Sequence, residues 1–432
     1  MNQVEQSLTV GEVFRPNLVP TITYNPRQSL KLEQAIKNHV ASPQEILLVL
    51  GPSKSGKTVL INKAIPREKL VEVEGTQVRS DESAFWTQAA STLQLPREVT
   101  ESSKVETSDA SIGGGGMTIN LGFFSFTLNR KPKKKDTSST VTATRNLGSK
   151  SAILGELLAR QCVLVIDDFH VIEPQIQKNI VLSLKAPVMK GLRVIIVGIP
   201  HRGHDVEEAM RDMADRVKRL EVPMWEKSEL GEIAAKGFPA LNLVPAANLQ
   251  NEFATHSYGS PQLMQRFCNQ VCLDHGYTAA QPTKSEFRMK ETYKAFFSDF
   301  AAHSNVDVRS IVDEFRELKQ HRKQRALQKG GSATIYQIIL LALQHCLPRV
   351  DIGFEAIEEA VEKVVTRSDR PSDAELLGAL RELAQIAKAI AEKEKTGQPV
   401  VEWNEKRRIL NITDASFAFH VKWGPILGSE AA

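Results

Sequence analysis

Cysteine is scarce in this sequence: the chain of 432 residues contains only 4. Cys162 lies in an apolar run, Cys268 and Cys272 lie one helical turn apart, and Cys346 is isolated. Because no two of them form a C-x-x-C pair, the sequence lacks the spacing of a zinc site and of a disulfide framework. We therefore expect reduced cysteines, no zinc and a cytoplasmic location.

Long apolar runs are also missing. No stretch approaches the roughly 18 consecutive apolar residues of a membrane span. The N-terminal sequence MNQVEQSLTV has no basic region followed by an apolar segment, which a secretion signal would require. We expect no membrane partner. The net charge of +4 is too small to indicate nucleic-acid binding by itself.

The composition is that of an ordinary globular protein. Hydrophobic residues make up 41% and charged residues 25% of the chain. The 25 glycines and 20 prolines are too few for a fibrous or wholly disordered chain. At roughly 150 residues per domain, the length predicts about three domains.

Short apolar strands alternate with helical segments in the first half of the chain. Strands are predicted at residues 45–50, 70–73, 162–166, 192–199 and 220–222. Helices are predicted at residues 27–39, 81–93, 152–160 and 175–184. Continuous apolar strands separated by helices are typical of a parallel sheet covered on both faces. We assign residues 1–225 to one α/β domain.

Residues 101–150 interrupt this pattern as an insertion. Apolar residues alternate from Met117 to Phe123 and then shift phase at Phe124, which is what a bulge in a strand produces. Basic residues follow at 130–135. We predict a projecting β-hairpin with a flexible, basic flank.

The second half of the chain is predicted to be mainly helical. Residues 226–300 are predicted to form an all-α lid, and residues 301–331 a basic helix and a linker. Ser372 and Glu375 have the spacing of a capping box at the start of a long helix. Because two short strands follow that helix, we predict a winged helix-turn-helix over residues 332–432.

The first predicted strand runs directly into Gly-Pro-Ser-Lys-Ser-Gly-Lys-Thr at residues 51–58, a complete G-x-x-x-x-G-K-[ST] pattern. Backbone N–H groups of such a loop, and the N-terminus of the helix that follows, bind phosphates. Lys57 is predicted to reach the β- and γ-phosphates of ATP, and Thr58 to bind Mg²⁺. The predicted nucleotide-binding residues are Gly51, Pro52, Ser53, Lys54, Ser55, Gly56, Lys57, Thr58 and Val59.

A second apolar strand ends in two carboxylates, Asp167 and Asp168. Asp167 is placed to be a ligand of Mg²⁺, and Asp168 is placed to be the base that orients the attacking water. The alternative is that acidic residues end a strand for solubility or cap a helix. The phosphate-binding pattern upstream favours the catalytic interpretation.

Together these two motifs resemble the AAA+/STAND branch of P-loop ATPases, and in particular origin-recognition-type, archaeal-type and transposon-regulator ATPases that end in a winged helix. The resemblance covers nearly the whole chain and implies a P-loop NTPase core with a parallel sheet, an all-α lid and a C-terminal winged-helix domain.

The resemblance also implies a residue that senses the γ-phosphate. The usual Asn is absent from this sequence, so His201 or Arg202 would take this role. The same resemblance implies an arginine that reaches the nucleotide of a neighbouring subunit, with Arg216 the first choice and Arg211 the second. A solvated loop and a solvated charged helix are the alternatives for these two segments.

Two further segments resemble parts of the same family. Residues 257–262 resemble the G-x-P element that packs the lid on the nucleotide, which singles out Pro261. Many AAA+ proteins have an arginine just after the glycine of this element. This sequence has Gln262 near that position and Arg266 one turn later, so it departs from the pattern of AAA+ motors. Residues 24–27 match the segment that closes over adenine.

The resemblance favours an ATP-dependent oligomeric switch. Asp168 stands where most AAA+ motors have Glu, and the shorter side chain predicts slow hydrolysis. Because no nuclease, protease or methyltransferase pattern is visible, an effector protein would act in trans, as in prokaryotic antiviral defence or mobile-element systems. The alternative is a DNA-binding regulator or loader that contacts DNA through the Ser372 helix or the basic stretches at 130–135 and 319–325. A scaffold that binds nucleotide without hydrolysing it is the third hypothesis.

Overall fold

The chain folds as two compact units. The computed structural model describes residues 7–95, 99–106, 117–121, 124–130, 138–145, 149–199, 215–303, 306–318, 323–394 and 398–427. The sheet unit comprises Glu33–Leu50 and Ile61–Leu220, and the helical unit comprises Met1–Leu32, Gly51–Leu60 and Glu221–Ala432. The predicted lid and the predicted C-terminal domain both belong to the helical unit, and the predicted boundaries after residues 225, 300 and 331 stay predictions.

The described elements are numbered in chain order. The strands are β1 (Ile46–Leu50), β2 (Leu70–Glu74), β3 (Val99–Glu106), β4 (Met117–Leu121), β5 (Phe124–Arg130), β6 (Ser138–Arg145), β7 (Val163–Asp167), β8 (Arg193–Gly198), β9 (Val217–Glu221), β10 (Leu243–Pro245), β11 (Ser285–Phe287), β12 (Arg325–Ala326), β13 (Ser332–Ala333), β14 (Asp351–Gly353), β15 (Val401–Asn404) and β16 (Ile409–Ile412). The α-helices are α1 (Val10–Val13), α2 (Leu32–Ala41), α3 (Lys57–Ala64), α4 (Gly75–Val78), α5 (Glu82–Thr92), α6 (Lys150–Ala159), α7 (Pro174–Met189), α8 (Lys227–Ala240), α9 (Leu249–His256), α10 (Pro261–Asp274), α11 (Tyr293–His303), α12 (Val306–Arg316), α13 (Ile335–Cys346), α14 (Phe354–Glu362), α15 (Asp373–Lys393) and α16 (Ala415–Trp423). None of the described helices combines the length and the apolar character that crossing a membrane requires.

The central sheet of the described residues has the strand order β2-β7-β8-β1-β9. β1 pairs with β8, β8 with β7, and β7 with β2, in each case parallel. Every residue of β1 is buried, as expected for a Leu- and Val-rich strand that is covered on both faces. The predicted α/β class with a parallel sheet is therefore confirmed.

The insertion, predicted as a β-hairpin with a bulged strand, contains a hairpin without that bulge, within a larger sheet. Its described strands form a four-stranded antiparallel sheet in the order β3-β6-β5-β4. Leu121 pairs with Phe124 and Met117 with Leu128, so β4 and β5 are the two arms of a hairpin. The prediction of one bulged strand was wrong, because a tight chain reversal shifts the apolar alternation just as a bulge does. Phe123 and residues 131–135 of the basic stretch lie outside the described residues.

One hydrophobic core runs through the helical unit, from α8–α11 to α13–α16. Helix α12 belongs to the same core through four buried residues, Val308, Ile311, Val312 and Phe315. Fully burying side chains of this size stabilises a fold by about 1.5–3 kcal/mol each. α12 is therefore a core helix, and the predicted basic stretch at residues 319–325 lies beyond its end.

The segment after α12 is also part of the fold. Arg325 was predicted on an exposed basic stretch, but it lies in β12, which pairs with β13. Its guanidinium donates to Glu375 Oε1 at 2.6 Å, and the residue is 4% exposed. A buried cation needs such an acceptor, so Arg325 forms a structural ion pair. Lys319 and Arg322 lie outside the described residues.

The C-terminal part has the predicted winged-helix arrangement. This part contains the helices α13, α14 and α15 and an antiparallel sheet with the strand order β14-β16-β15. The Ser372 hydroxyl accepts the N–H of Glu375, and the Glu375 carboxylate accepts the N–H of Ser372. The predicted capping box therefore starts α15.

Candidate functional site

The loop at residues 51–58, the P-loop, connects buried β1 to α3. A Cβ atom on Gly51 would lie only 2.6 Å from the carbonyl O of Val222, so glycine is required for this close approach. Gly56 has a φ of 91° and Lys54 a φ of 58°, and both left-handed residues turn the backbone. The sequence pattern thus folds into the wide turn that a phosphate-binding loop requires.

Lys57 is the buried cation of this loop. It is the first residue of α3 and is 8% exposed. Its Nζ donates to the carbonyl oxygens of Gly51 and Pro52, both at 2.8 Å. An ammonium held within a loop at a helix N-terminus attracts anions. Thr58 follows in the first turn of α3 and is exposed, whereas Ser55 is buried.

Trp225 belongs to the site although sequence reasoning missed it. Its Nε1–H donates to the carbonyl O of Ser55 at 2.8 Å. A Cβ atom on Gly56 would lie 4.0 Å from the Trp225 ring, so the indole lies directly against the P-loop. Its one signal in the sequence is an isolated tryptophan between β9 and α8, which local patterns do not connect with a loop far upstream.

Arg27 supports Trp225 from the N-terminal segment. Its guanidinium carbon lies 5.0 Å from the Trp225 ring centroid, which is a cation–π distance. The guanidinium also donates to the backbone carbonyl groups of residues 223–224, at 2.8 and 2.9 Å, and forms an ion pair with Glu229 at 2.9 Å. The segment at residues 24–27 therefore contacts the P-loop through Trp225. Its role at adenine stays a prediction.

The predicted lid element lies against the same connecting segment. Gly259 has a φ of 74°, and a Cβ atom there would approach the Met224 methyl carbon to 3.0 Å. The Ser260 hydroxyl accepts the N–H of Leu263 at 3.3 Å and caps α10, which begins at Pro261. Pro261 is thus positioned next to the residues that hold the P-loop, and its contact with nucleotide stays a prediction.

The two predicted acidic residues lie at the carboxyl end of β7, in the sheet unit. Asp167 Oδ1 accepts the N–H of Asp168 at 2.9 Å. Asp168 has a φ of 48°, a conformation that Asp and Asn tolerate better than most residues. A Cβ atom on Gly75 would lie 2.4 Å from the carbonyl O of Asp168, so this turn is tightly packed. Because β8 lies between β7 and β1 and all three are parallel, their carboxyl ends lie at one edge of the sheet.

The predicted metal ligands are oxygen atoms, namely the Thr58 hydroxyl and the Asp167 carboxylate. Mg²⁺ is usually bound by one or two protein carboxylates and completes its shell with substrate phosphates and water. The described residues contain no cluster of three or more His, Cys, Asp or Glu side chains that could hold a metal alone. Both predicted ligands are oxygen donors of the type that Mg²⁺ prefers, and their joint role at a metal ion stays a prediction.

Of the arginines that were predicted to act at the nucleotide, Arg216 lies within the described residues. Arg202 and its alternative His201 lie outside the described residues, as does Arg211. Arg216 is half-buried and directly precedes β9, which is the position predicted for an arginine that reaches a neighbouring subunit. That role stays a prediction.

No protein-family model and no curated protein matches the chain. Among solved structures, it is similar to Cdc6p from Pyrobaculum aerophilum, with 16% identity and a TM-score of 0.40 over 96% of this chain and 98% of that chain. It is also similar to the Aeropyrum pernix ORC1 protein in complex with DNA, with 12% identity and a TM-score of 0.42 over 97% of each chain. A third similar structure is the Thermotoga maritima RuvB Holliday junction branch migration motor, with 12% identity and a TM-score of 0.38 over 92% of this chain and 94% of that chain. At these scores the likeness does not establish an activity, which has to come from the site itself.

Proposed function

We propose that this chain is a Mg²⁺-dependent ATPase of the AAA+ type that works as a slow, nucleotide-driven switch. The observation that carries the proposal is the buried ammonium of Lys57 inside a complete P-loop between β1 and α3. The triphosphate of ATP supplies the clustered negative charge that such a loop binds. Phosphate release from ATP, compared between the chain and its Lys57→Ala variant, tests the proposal.

Each residue has a separate role in the proposed hydrolysis. Lys57 stabilises charge on the β- and γ-phosphates, Thr58 and Asp167 hold Mg²⁺, and Asp168 orients the attacking water. Mg²⁺, when bound, neutralises charge on the phosphate oxygens. Trp225 keeps the P-loop backbone in place through its indole N–H.

Self-association that depends on ATP is the expected behaviour if Arg216 completes the site of a neighbouring subunit. The mass of the protein, measured by light scattering after size exclusion, should rise with Mg-ATP and stay low with Mg-ADP or without nucleotide. Arg216→Ala should then lower hydrolysis about 10³-fold or more, the size known for arginine fingers. A monomer of constant mass under all three conditions contradicts this role.

DNA is the second candidate target, and the observation that favours it is the turn between β15 and β16. Lys406 and Arg407 are consecutive and exposed in this turn, and they precede Arg408, whose guanidinium lies 4.2 Å from the Phe354 ring centroid. On α15, by contrast, Lys388 and Lys393 pair with neighbouring glutamates at 3.9 and 3.7 Å. Phosphate contacts need uncompensated positive charge, so the turn is a better candidate for DNA contact than the Ser372 helix.

Removing two charges from this turn should weaken DNA binding in a salt-dependent way. For the Lys406→Ala/Arg407→Ala double variant, we expect the slope of log affinity against log salt to fall by about 2, since each phosphate contact contributes about 0.9. The matched control is Lys388→Ala/Lys393→Ala on α15, which should change the slope little. The opposite pattern would assign DNA contact to the helix, and no binding to any duplex would remove this candidate.

The described residues contain no feature that identifies an effector protein or a defence system. The trans effector and the antiviral role therefore stay predictions from the sequence.

A further inference from the structure

The lysine at the tip of the P-loop is held by a carboxylate from the C-terminal part of the chain. Lys54 Nζ lies 2.6 Å from Asp414 Oδ2 and 3.5 Å from the Ser416 hydroxyl. The Lys54 side chain is 30% exposed and that of Asp414 is 11% exposed. This pair therefore forms where solvent is partly excluded, next to the loop that is predicted to bind phosphate.

Asp414 is held in place by the helix that it caps. Its Oδ1 accepts the N–H of Ser416 at 2.8 Å, and α16 begins at the next residue. Phe419 packs on Phe267 of α10, with ring centroids 5.1 Å apart, and Trp423 contacts α9 and α11. A carboxylate on an anchored helix keeps its position, unlike one on a mobile surface chain.

A second cation is influenced by the same carboxylate. Arg266 lies on α10, with its guanidinium 5.1 Å from the Phe300 ring centroid. Burial lowers the pKa of Arg266, and the negative charge of Asp414 opposes that shift. Asp414 thus provides negative charge both to the P-loop and to the lid helix.

We propose that Asp414 is an internal competitor of the nucleotide phosphates: it occupies Lys54, and phosphate binding in the P-loop displaces it. This inference rests on the proposed ATP binding and adds an affinity-determining residue that lies outside the nucleotide-binding motifs. The phosphates compete with the Asp414 carboxylate for the Lys54 ammonium, and the two anions repel each other. The pair therefore lowers the affinity of the loop for nucleotide.

The coupling acts in both directions. Because coupling free energies are reciprocal, nucleotide must weaken the Lys54–Asp414 pair by the same factor by which the pair weakens nucleotide binding. Nucleotide in the P-loop therefore weakens the contact between Lys54 and the capped N-terminal end of α16. The C-terminal part of the chain senses the nucleotide through this contact.

The variant Asp414→Asn separates the charge of Asp414 from its capping role, because Asn caps a helix as well as Asp does. In the full chain, we expect Asp414→Asn to lower the dissociation constants of ATP and ADP about fivefold, measured by calorimetry. The matched control is Asp81→Asn: Asp81 caps α5 by accepting the N–H of Ser83 at 2.8 Å. This control should leave the affinity unchanged.

Combining the change with Lys54→Met shows whether Asp414 acts through Lys54. The gain from Asp414→Asn should largely disappear in the Lys54→Met background, because the ion pair is already absent there. The inference is overturned if Asp414→Asn raises the ATP affinity equally in both backgrounds, or in neither. ATP binding by the wild type would still support the proposed function in that case. If neither the wild type nor Asp414→Asn binds ATP, both fail.

Discussion

Replacing Lys57 by alanine is expected to lower the rate of ATP hydrolysis at least about a hundredfold. The Lys57 ammonium is buried and bonded at 2.8 Å to two carbonyl groups of the P-loop. Alanine therefore removes a positioned charge that solvent cannot replace. Phosphate release at saturating Mg-ATP measures the effect, and calorimetry shows how much of it arises from lost binding.

The matched control for this change is Lys37→Ala. Lys37 lies on α2 and forms an exposed ion pair with Glu33 at 3.0 Å, which contributes only about 0.3–0.5 kcal/mol. Hydrolysis should be unchanged in this variant. If Lys57→Ala hydrolyses ATP at the wild-type rate while its thermal unfolding is also unchanged, the P-loop is not the catalytic site.

Asp168→Asn should lower kcat about a hundredfold or more while ATP still binds, because a general base contributes about 10²–10⁴ to the rate. Asn has almost the same volume, cannot accept a proton at neutral pH, and tolerates the φ of 48° found at this position. The change therefore tests the carboxylate without straining the turn against Gly75. Asp168→Ala would be a poorer test, since it combines lost charge with backbone strain.

Steady-state hydrolysis and calorimetric binding of ATP together decide the role of Asp168. Asp81→Asn, in the same unit, is the control and should retain both activity and affinity. A normal kcat in Asp168→Asn would mean that Asp168 serves only the turn after β7. Loss of ATP binding and of hydrolysis together would mean that the change disturbs the fold.

The local parts of the site could be predicted because each depends on a short contiguous stretch. The Leu- and Val-rich run of β1 requires burial on both faces, and the glycines at 51 and 56 permit the close approach and the left-handed turn that follow. Likewise, the pair Ser372 and Glu375 starts α15 through a bond pattern that spans a single turn. In these cases the sequence neighbours are also the physical partners.

Predictions failed where one pattern has two physical causes. The phase shift at Phe124 indicates a bulge or a chain reversal equally well, and only the pairing of β4 with β5 distinguishes them. A run of basic residues usually indicates a solvated surface, but Arg325 is buried because Glu375 and the backbone of Asp369 accept its hydrogen bonds. The acceptors lie outside the stretch that was used for the prediction.

By itself, the sequence determined the α/β class, the P-loop with Lys57 and Thr58, and the strand that ends at Asp167. These features follow from local periodicity and from residue types that allow few backbone conformations. Only the tertiary structure decided that Trp225 and Arg27 support the loop and that Asp414 holds Lys54. Such contacts join residues far apart in the chain and depend on how helices pack into one core, which no local pattern encodes.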